Sequence, residues 1–193
     1  MTLPDPIIRT EALTRDFDET RAVDALDLSI AQGELFGLVG PDGAGKTTIL
    51  RLLAGLLDIT SGSAHVAGYD LTRRVEPIKP LIGYMAQRFS LYSELTVLEN
   101  LRFFSELYDV DPSKQESRTE RLLDFAGLTA FKSRRAAHLS GGMKKKLALA
   151  CTLMHQPPIL FLDEPTTGVD PVSRREFWEI LTQLYTEGTT ILV

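Results

Sequence analysis

The sequence predicts an α/β fold, and three patterns in its 193 residues support this class. The first is a short apolar run, Glu34 to Val39, that ends at a glycine-rich loop and is followed by helical spacing from Lys46 to Leu57. The second is an apolar strand, Ile159 to Leu162, that ends in two adjacent carboxylates. The third is a long helical stretch, residues 90–150, that separates the first two patterns. Apolar runs of this length are typical of buried strands in an α/β core.

The other elements are predicted from alternation and helical spacing. Residues 7–30 contain two partly alternating stretches, interrupted at Asp16 to Thr20, which predict two strands joined by a turn. Ser63 to Tyr69 and Leu81 to Met85 predict two further strands, the second of which leads to Gln87. Helices are predicted at Thr96 to Leu107, Glu116 to Phe125 and Val172 to Tyr185, and a last strand at Thr189 to Val193.

The composition is that of an ordinary globular domain, with 44% hydrophobic and 24% charged residues. A formal net charge of -5 gives the chain no overall positive field, so nucleic acid is not an expected partner. The single cysteine, Cys151, lies in an apolar helical stretch, which predicts a buried, inert thiol in a reducing cytoplasm. No apolar run approaches the roughly 18 residues needed to cross a bilayer, so any membrane role depends on another chain or domain.

The glycine-rich loop, Gly40 to Thr47, matches the pattern G-x-x-x-x-G-K-[ST] in full and lies between a predicted strand and a predicted helix. Its glycines let backbone N–H groups point inward as a nest for phosphate oxygens, while Lys46 reaches the outer phosphates and Thr47 offers a hydroxyl to Mg2+. A glycine turn that binds no ligand is the alternative, and the flanking strand and helix favour the phosphate-binding interpretation. The residues expected to contact the nucleotide are Gly40, Asp42, Gly43, Ala44, Gly45, Lys46, Thr47 and Thr48.

Two carboxylates follow the apolar strand at residues 159–162. Asp163 is suited to hold Mg2+, and Glu164 to orient or deprotonate the attacking water. A pair of this kind is often only a solvated strand end. Because it follows a phosphate loop in the same chain, the catalytic interpretation is favoured here.

Leu139 to Met143 reads Leu-Ser-Gly-Gly-Met, and with this segment the sequence resembles the ABC ATPase family, in whose signature Gln is more usual than Met at the fifth position. Ser140 is a good helix N-cap, and Gly141 and Gly142 allow close backbone approach to an anion at the helix N-terminus. A basic run, Lys144 to Lys146, follows. A solvated helix face is its expected role, and a contribution to the field at the phosphates is the alternative.

The resemblance implies roles for three more residues. Gln87 matches the glutamine that reaches Mg2+ and the attacking water, and the segment after it, residues 88–92, would face a membrane partner. Asp170, within Gly168 to Pro171, matches a residue that acts across a dimer interface. Phe17 matches the aromatic residue that stacks on adenine, and a core or turn phenylalanine is the alternative interpretation.

The resemblance covers essentially the whole chain and implies its architecture. It implies a P-loop NTPase core of the ABC ATPase type with an N-terminal antiparallel β subdomain, formed by residues 1–89 and 157–193. Residues 90–156 would form an inserted α-helical subdomain that carries the signature. In the family, ATP binds between the phosphate loop of one domain and the signature of another. ATP, Mg2+ and a second ABC ATPase domain, arranged head to tail, are therefore expected.

Within the family, three runs resemble bacterial ABC-2-type exporters of the multidrug class: residues 40–48, 83–87 and 163–175. This implies transmembrane permease partners and a peripheral position on the cytoplasmic face of the cell membrane. The alternatives are a soluble ABC protein that acts on ribosomes or DNA and a nucleotide-binding module that hydrolyses ATP poorly. The short interval between Lys46 and Ser140 excludes the long coiled coil of the DNA type, and no basic linker typical of ribosome-acting forms is present.

One family element is not found. The family carries a histidine shortly after the strand predicted at residues 189–193, and none of His65, His138 or His155 occupies that position. We therefore expect a C-terminally truncated domain that binds Mg-ATP and hydrolyses it poorly alone. Without its usual neighbours, the last strand is predicted to be an exposed sheet edge.

Overall fold

The computed structural model describes residues 6–88 and 91–193, which group into two compact units. The first unit consists of residues 6–84, 158–163 and 187–193, and the second of residues 85–157 and 164–186. The boundary predicted at residues 89 and 90, and the middle of the segment 88–92, lie outside the described residues. The division into a core and a signature subdomain stays a prediction.

Strands and helices alternate along the chain much as the sequence patterns predict. The strands are β1 (Ile8–Phe17), β2 (Thr20–Ile30), β3 (Leu35–Phe36), β4 (Ser61–Val66), β5 (Tyr69–Asp70), β6 (Ile82–Met85), β7 (Ile159–Leu162) and β8 (Thr190–Leu192). The α-helices are α1 (Lys46–Leu53), α2 (Val97–Leu107), α3 (Pro112–Phe125), α4 (Gly141–Thr152) and α5 (Pro171–Thr186). Short 3-10 helices cover Glu76–Leu81, Thr129–Phe131 and Ala136–His138.

The first unit contains an antiparallel sheet with the strand order β2-β1-β4-β5. The pairing of β1 with β2 runs from Ile8 opposite Ile30 to Phe17 opposite Thr20, so the turn predicted within residues 16–20 is confirmed. Register shifts interrupt the pairing near Ala12, whose φ of 45° lies in the left-handed region. One face of this sheet is fully buried at Ile8, Leu13 and Ile30, which anchor the core of the unit.

The second sheet has the order β3-β8-β7-β6, and β8 pairs in parallel with β3 on one side and β7 on the other. The prediction that the last strand is an exposed edge is therefore wrong. Thr190, Ile191 and Leu192 are all buried, and β3 pairs with the edge of β8 that faces away from β7. The Leu38 amide extends this contact by donating to the Val193 carbonyl at 2.6 Å.

Two elements end earlier than the apolar pattern predicts. β3 stops at Phe36, and Val39 is 99% exposed because the chain there already leads into the glycine-rich loop. Helix α1 stops at Leu53, and Gly55 follows its C-cap with a left-handed φ of 66°. A glycine in this conformation is a common helix stop.

The second unit is helical. Helix α2 begins with a capping box, in which Thr96 and Glu99 each accept a hydrogen bond from the other's backbone N–H. Helix α3 begins at Pro112 after the N-cap Asp111, a few residues before the predicted start. The core of the second unit includes Cys151, and burial raises the pKa of this thiol above its usual range, in agreement with an inert role. No helix within residues 6–88 and 91–193 has both the length and the apolar character needed to cross a membrane.

Candidate functional site

The phosphate loop owes its shape to glycines. Gly43 and Gly45 have φ values of 81° and 86°, a region that other residues enter only with strain. A Cβ atom at position 45 would also clash with the carbonyl oxygen of Ala22, so two independent constraints require glycine there. Lys46 begins α1 directly after Gly45, and its Nζ donates to the carbonyl oxygens of Gly40 and Pro41, at 2.7 and 2.8 Å. The loop thus holds the ammonium group of Lys46 over its own backbone.

The first unit also brings the loop to the carboxylate at the end of β7. The Thr47 hydroxyl donates to Asp163 Oδ1 at 2.8 Å, and Asp163 is only 2% exposed. These two side chains are 116 positions apart in the sequence. A hydroxyl and a carboxylate are hard oxygen donors of the kind that Mg2+ accepts when phosphates complete its shell. The donor set therefore fits the metal site predicted at Thr47 and Asp163.

Tyr84 was not singled out by the sequence analysis, although it lies within the apolar run that leads to Gln87. Its hydroxyl lies 3.5 Å from Asp163 Oδ2, at the outer limit of a hydrogen bond. Burial raises the pKa of Tyr84, and the nearby Asp163 charge acts in the same direction, while a hydrogen bond with Arg51 opposes them. Tyr84 therefore remains a neutral donor to the second oxygen of Asp163.

In the second unit, the residues predicted to be catalytic meet each other. Gln87 Nε2 donates to Glu164 Oε2 at 2.7 Å, and the Thr167 hydroxyl donates to the same oxygen at 3.0 Å. Glu164 has a φ of 46°, an uncommon conformation for a residue with a side chain. Thr167 was missed by the sequence analysis, and its position three residues after the carboxylate is the only signal that could have indicated it.

The signature residues form the N-terminus of α4. Ser140 is the N-cap, and its Oγ accepts a hydrogen bond from the Met143 amide at 3.2 Å, as its residue type predicts. A Cβ atom at Gly142 would clash with the side chain of Ser173, so this glycine permits close packing of α4 on α5. Gly141 is exposed, and a Cβ atom built at this position would lie 3.9 Å from the carbonyl oxygen of Gly168.

The basic run after the signature is not a uniformly solvated face, which corrects the expectation for Lys144 to Lys146. The Lys146 side chain is only 12% exposed and forms an ion pair of 2.8 Å with Glu176. Lys145 Nζ donates to the main-chain carbonyl of Gln87 at 2.7 Å. Only Lys144 is exposed as expected. The difference arises because α4 packs on neighbours that are distant in sequence and carry acceptors.

Asp170 lies at the N-terminus of α5, where its Oδ1 accepts hydrogen bonds from the amides of Val172 and Ser173 at 3.1 and 2.9 Å. The bond from the Ser173 backbone is the main reason why the pKa of Asp170 is lowered. Within the chain, Asp170 therefore caps a helix, and its action across a dimer interface stays a prediction.

Phe17 ends β1 in the first unit and is 40% exposed, so its side chain is not a core residue. The Arg15 guanidinium carbon lies 4.5 Å from the centre of its ring, and Arg15 Nη1 donates to the carbonyl oxygen of Asp58 at 2.8 Å. One face of the ring is thus covered by a cation. Stacking of adenine on Phe17 stays a prediction.

The predicted site residues thus form two groups. The first unit holds the phosphate loop with Thr48, Asp163 and Phe17, and the second unit holds Gln87 and Glu164 together with the signature and Asp170.

Comparison with known proteins places this geometry in a family. A family model described as ABC transporter matches residues 23–167. The chain is 45% identical to the probable multidrug ABC transporter ATP-binding protein YbhF of Escherichia coli strain K12, over 98% of this chain and 33% of YbhF. It is 39% identical to the daunorubicin/doxorubicin resistance ATP-binding protein DrrA of Streptomyces peucetius, over 100% of this chain and 58% of DrrA. The chain therefore spans about a third of one of these relatives and less than two thirds of the other.

A solved structure supports the same assignment. The dimeric structure of a post-hydrolysis state of the ATP-binding cassette MJ0796, bound to ADP and Pi, has a TM-score of 0.84 and 26% identity. The match covers 96% of this chain and 86% of that chain. The fold is thus the mixed α/β fold of ABC ATPases, with one antiparallel and one parallel sheet, as the sequence predicts. On the match to the family model and to this cassette, the chain belongs to the ABC transporter family.

Proposed function

We propose that this chain is an ATP-binding and ATP-hydrolysing domain that energises an ABC exporter. The observation that carries the proposal is the hydrogen bond of 2.8 Å between the Thr47 hydroxyl and the buried Asp163 carboxylate. A glycine turn without a ligand has no need to place a loop hydroxyl against a buried carboxylate. A phosphoryl-transfer site needs both, because they are the protein oxygens available to a metal beside the phosphates.

Mg-ATP is the proposed ligand of this group. The amides of the loop and the start of α1 favour phosphate oxygens, and Lys46 has a third N–H besides the two that it donates to Gly40 and Pro41. Thr47 and Asp163 would hold Mg2+, and the metal when bound would neutralise charge on the phosphate oxygens.

Glu164 is the proposed general base or water-orienting group. The Gln87 amide and the Thr167 hydroxyl both donate to its Oε2, which fixes the direction of the carboxylate and leaves Oε1 to accept from a water molecule. Gln87 is exposed, so its amide N–H can exchange Glu164 for a water molecule with little repacking.

The signature is proposed to complete the nucleotide site of a second, head-to-tail ABC ATPase domain. Ser140, Gly141 and Gly142 form a helix N-terminus that suits an anion, and Gly141 is exposed. The dimeric cassette MJ0796 with ADP and Pi supports a dimer as the working arrangement. Asp170, which is also exposed, would lie at the dimer interface.

Export is proposed from the relatives, which are named as multidrug or daunorubicin/doxorubicin resistance ATP-binding proteins. The chain would act on the cytoplasmic face of the membrane through transmembrane permease subunits. The second unit has an open groove of about 480 Å3 beside Gln87, whose lining includes the apolar side chains of Leu91 and Ala148 and the cation of Arg88. This groove is the surface proposed to receive the permease.

Titration of ATP into the purified chain in a calorimeter, with and without Mg2+, tests the proposal. Lys46→Ala should abolish measurable affinity, because the ammonium group that pairs with the outer phosphates is lost. Lys79→Ala is the matched control, since Lys79 lies in the same unit and its ion pair with Glu76 is on the surface. Equal affinity of the Lys46→Ala variant and the unmodified chain would overturn the loop assignment.

A further inference from the structure

Lys145 joins the signature helix to the residue that orients Glu164. Its Nζ donates to the main-chain oxygen of Gln87 at 2.7 Å, a charge-assisted bond at the short end of the usual range. All three residues belong to the second unit. The contact involves the main chain of Gln87 and not its side chain. It therefore fixes the position of the backbone at Gln87 rather than that of the side-chain amide.

The helix that carries Lys145 is fixed on both sides of this residue. Gly142 packs so closely on Ser173 that no Cβ atom fits between them. One residue after Lys145, the nearly buried Lys146 pairs with Glu176 at 2.8 Å. With a steric contact in the first turn and an ion pair in the second, α4 has a defined rotation. The helix that carries the Lys145 ammonium group is therefore held in a fixed position.

Gln87, in contrast, is held by hydrogen bonds. It is exposed and lies after the last residue of β6, where neither a strand ladder nor core packing fixes its position. Its main-chain oxygen accepts from Lys145, and its amide donates to Glu164 Oε2. When the main chain of an exposed residue shifts, its side chain shifts with it. The bond from Lys145 therefore controls the distance between the Gln87 amide and Glu164.

We infer that Lys145 is a positioning residue for ATP hydrolysis, which acts through Gln87 and does not touch the nucleotide. The inference rests on the proposed function, in which Glu164 orients or deprotonates the attacking water. It separates Lys145 from its neighbour Lys144, which has the same charge on the same helix and is exposed. The chain thus offers its own control for the loss of one positive charge near the signature.

Lys145→Met and Lys144→Met should be compared by single-turnover phosphate release, with the chain in excess over Mg-ATP, and by calorimetric titration of Mg-ATP. We expect Lys145→Met to lower the hydrolysis rate by about tenfold, because a small displacement of an orienting group has a large effect on rate. Its Mg-ATP affinity should stay unchanged. Lys144→Met should change neither quantity, and Lys145→Arg should restore most of the rate. Equal rates for the two Met variants would overturn the inference.

The Gln87→Ala background separates positioning from a general structural effect. Removing the Gln87 side chain leaves Lys145 with nothing to position, so adding Lys145→Met should cause no further loss of rate. A further loss of about tenfold in this background would show that Lys145 acts on hydrolysis by another route.

Hydrogen exchange of residues 86–88 provides a readout that does not depend on hydrolysis. These amides should exchange faster in Lys145→Met than in Lys144→Met, and equal exchange would contradict the placement of Gln87 by Lys145. If Glu164→Gln keeps the hydrolysis rate of the unmodified chain, the proposed function fails at Glu164. The hydrogen-exchange comparison of the two Met variants then still shows whether Lys145 fixes the position of Gln87.

Discussion

The phosphate-loop group of the first unit is fixed by its backbone, whereas the Gln87 and Glu164 group of the second unit is fixed by side chains. In the first, positive φ values at Gly43 and Gly45 shape the loop, and Asp163 is buried against Thr47. In the second, three polar side chains meet, and Gln87 and Thr167 are exposed. A ligand can bind the first group without rearrangement of the backbone, while the second can exchange partners at low cost.

The largest expected effect separates these two roles. Glu164→Gln should lower the hydrolysis rate by about 10² to 10⁴-fold, the usual contribution of a general base, and leave Mg-ATP affinity unchanged. Phosphate release and calorimetric titration measure the two quantities. Glu179→Gln is the control, since Glu179 is an exposed residue paired with Arg175 on α5. Loss of Mg-ATP affinity in Glu164→Gln would show that this group also holds the nucleotide.

Gly45→Ala tests whether the loop depends on its backbone. The variant must adopt a left-handed φ and displace the Ala22 carbonyl, so we expect the free energy of unfolding to fall by about 3 kcal/mol. Gly43→Ala has the same conformational strain with no neighbour in its way, and should cost about 1 kcal/mol. Urea unfolding measures both. Equal losses would mean that the clash at Ala22 is relieved without cost.

Thr167→Val tests the side-chain group at one of its bonds. The variant keeps the shape of Thr167 and removes the donor to Glu164 Oε2, so the hydrolysis rate should fall by about fivefold. Single-turnover phosphate release provides the measurement. Thr182→Val removes a hydroxyl that donates to the Trp178 carbonyl of its own helix, and should have no effect. An unchanged rate in Thr167→Val would assign the orientation of Glu164 to Gln87 alone.

The smallest effect is expected at Tyr84. Its hydroxyl lies 3.5 Å from Asp163, where a hydrogen bond is weak, so Tyr84→Phe should weaken Mg-ATP binding by about twofold. Tyr69→Phe, at an exposed tyrosine of the same unit, is the control. A loss of tenfold or more would mean that the Tyr84 hydroxyl shares fully in holding Asp163.

The first group could be predicted from sequence because glycine spacing and a strand end determine it locally. Gly45, Lys46 and Thr47 are consecutive, and their conformation follows from residue type. Asp163 could be predicted because an apolar strand that stops at a carboxylate presents it at the end of the sheet. Phe17 could be identified only by resemblance, since an exposed aromatic residue has no periodic pattern.

The remaining errors concern partners that lie far away in the sequence. Strand β8 was expected at an edge for want of its usual neighbours, and its short apolar pattern does not reveal that β3 pairs with it. Lys145 and Lys146 look identical to Lys144 in the sequence, and only the folded positions of Gln87 and Glu176 distinguish them. Thr167 escaped notice for a different reason: its acceptor Glu164 is only three residues away, but a threonine in a turn has no feature that indicates which group its hydroxyl bonds.

The close packing of Gly142 on Ser173 has a mechanical consequence. A methyl group is the smallest spacer that an amino acid can insert, and this gap does not admit one. Two helices in such contact cannot slide along each other without first separating, and a packed interior resists compression. The first turns of α4 and α5 are therefore expected to move together as a rigid body. A displacement of the N-terminus of α5, where Asp170 lies, would then displace the signature as well.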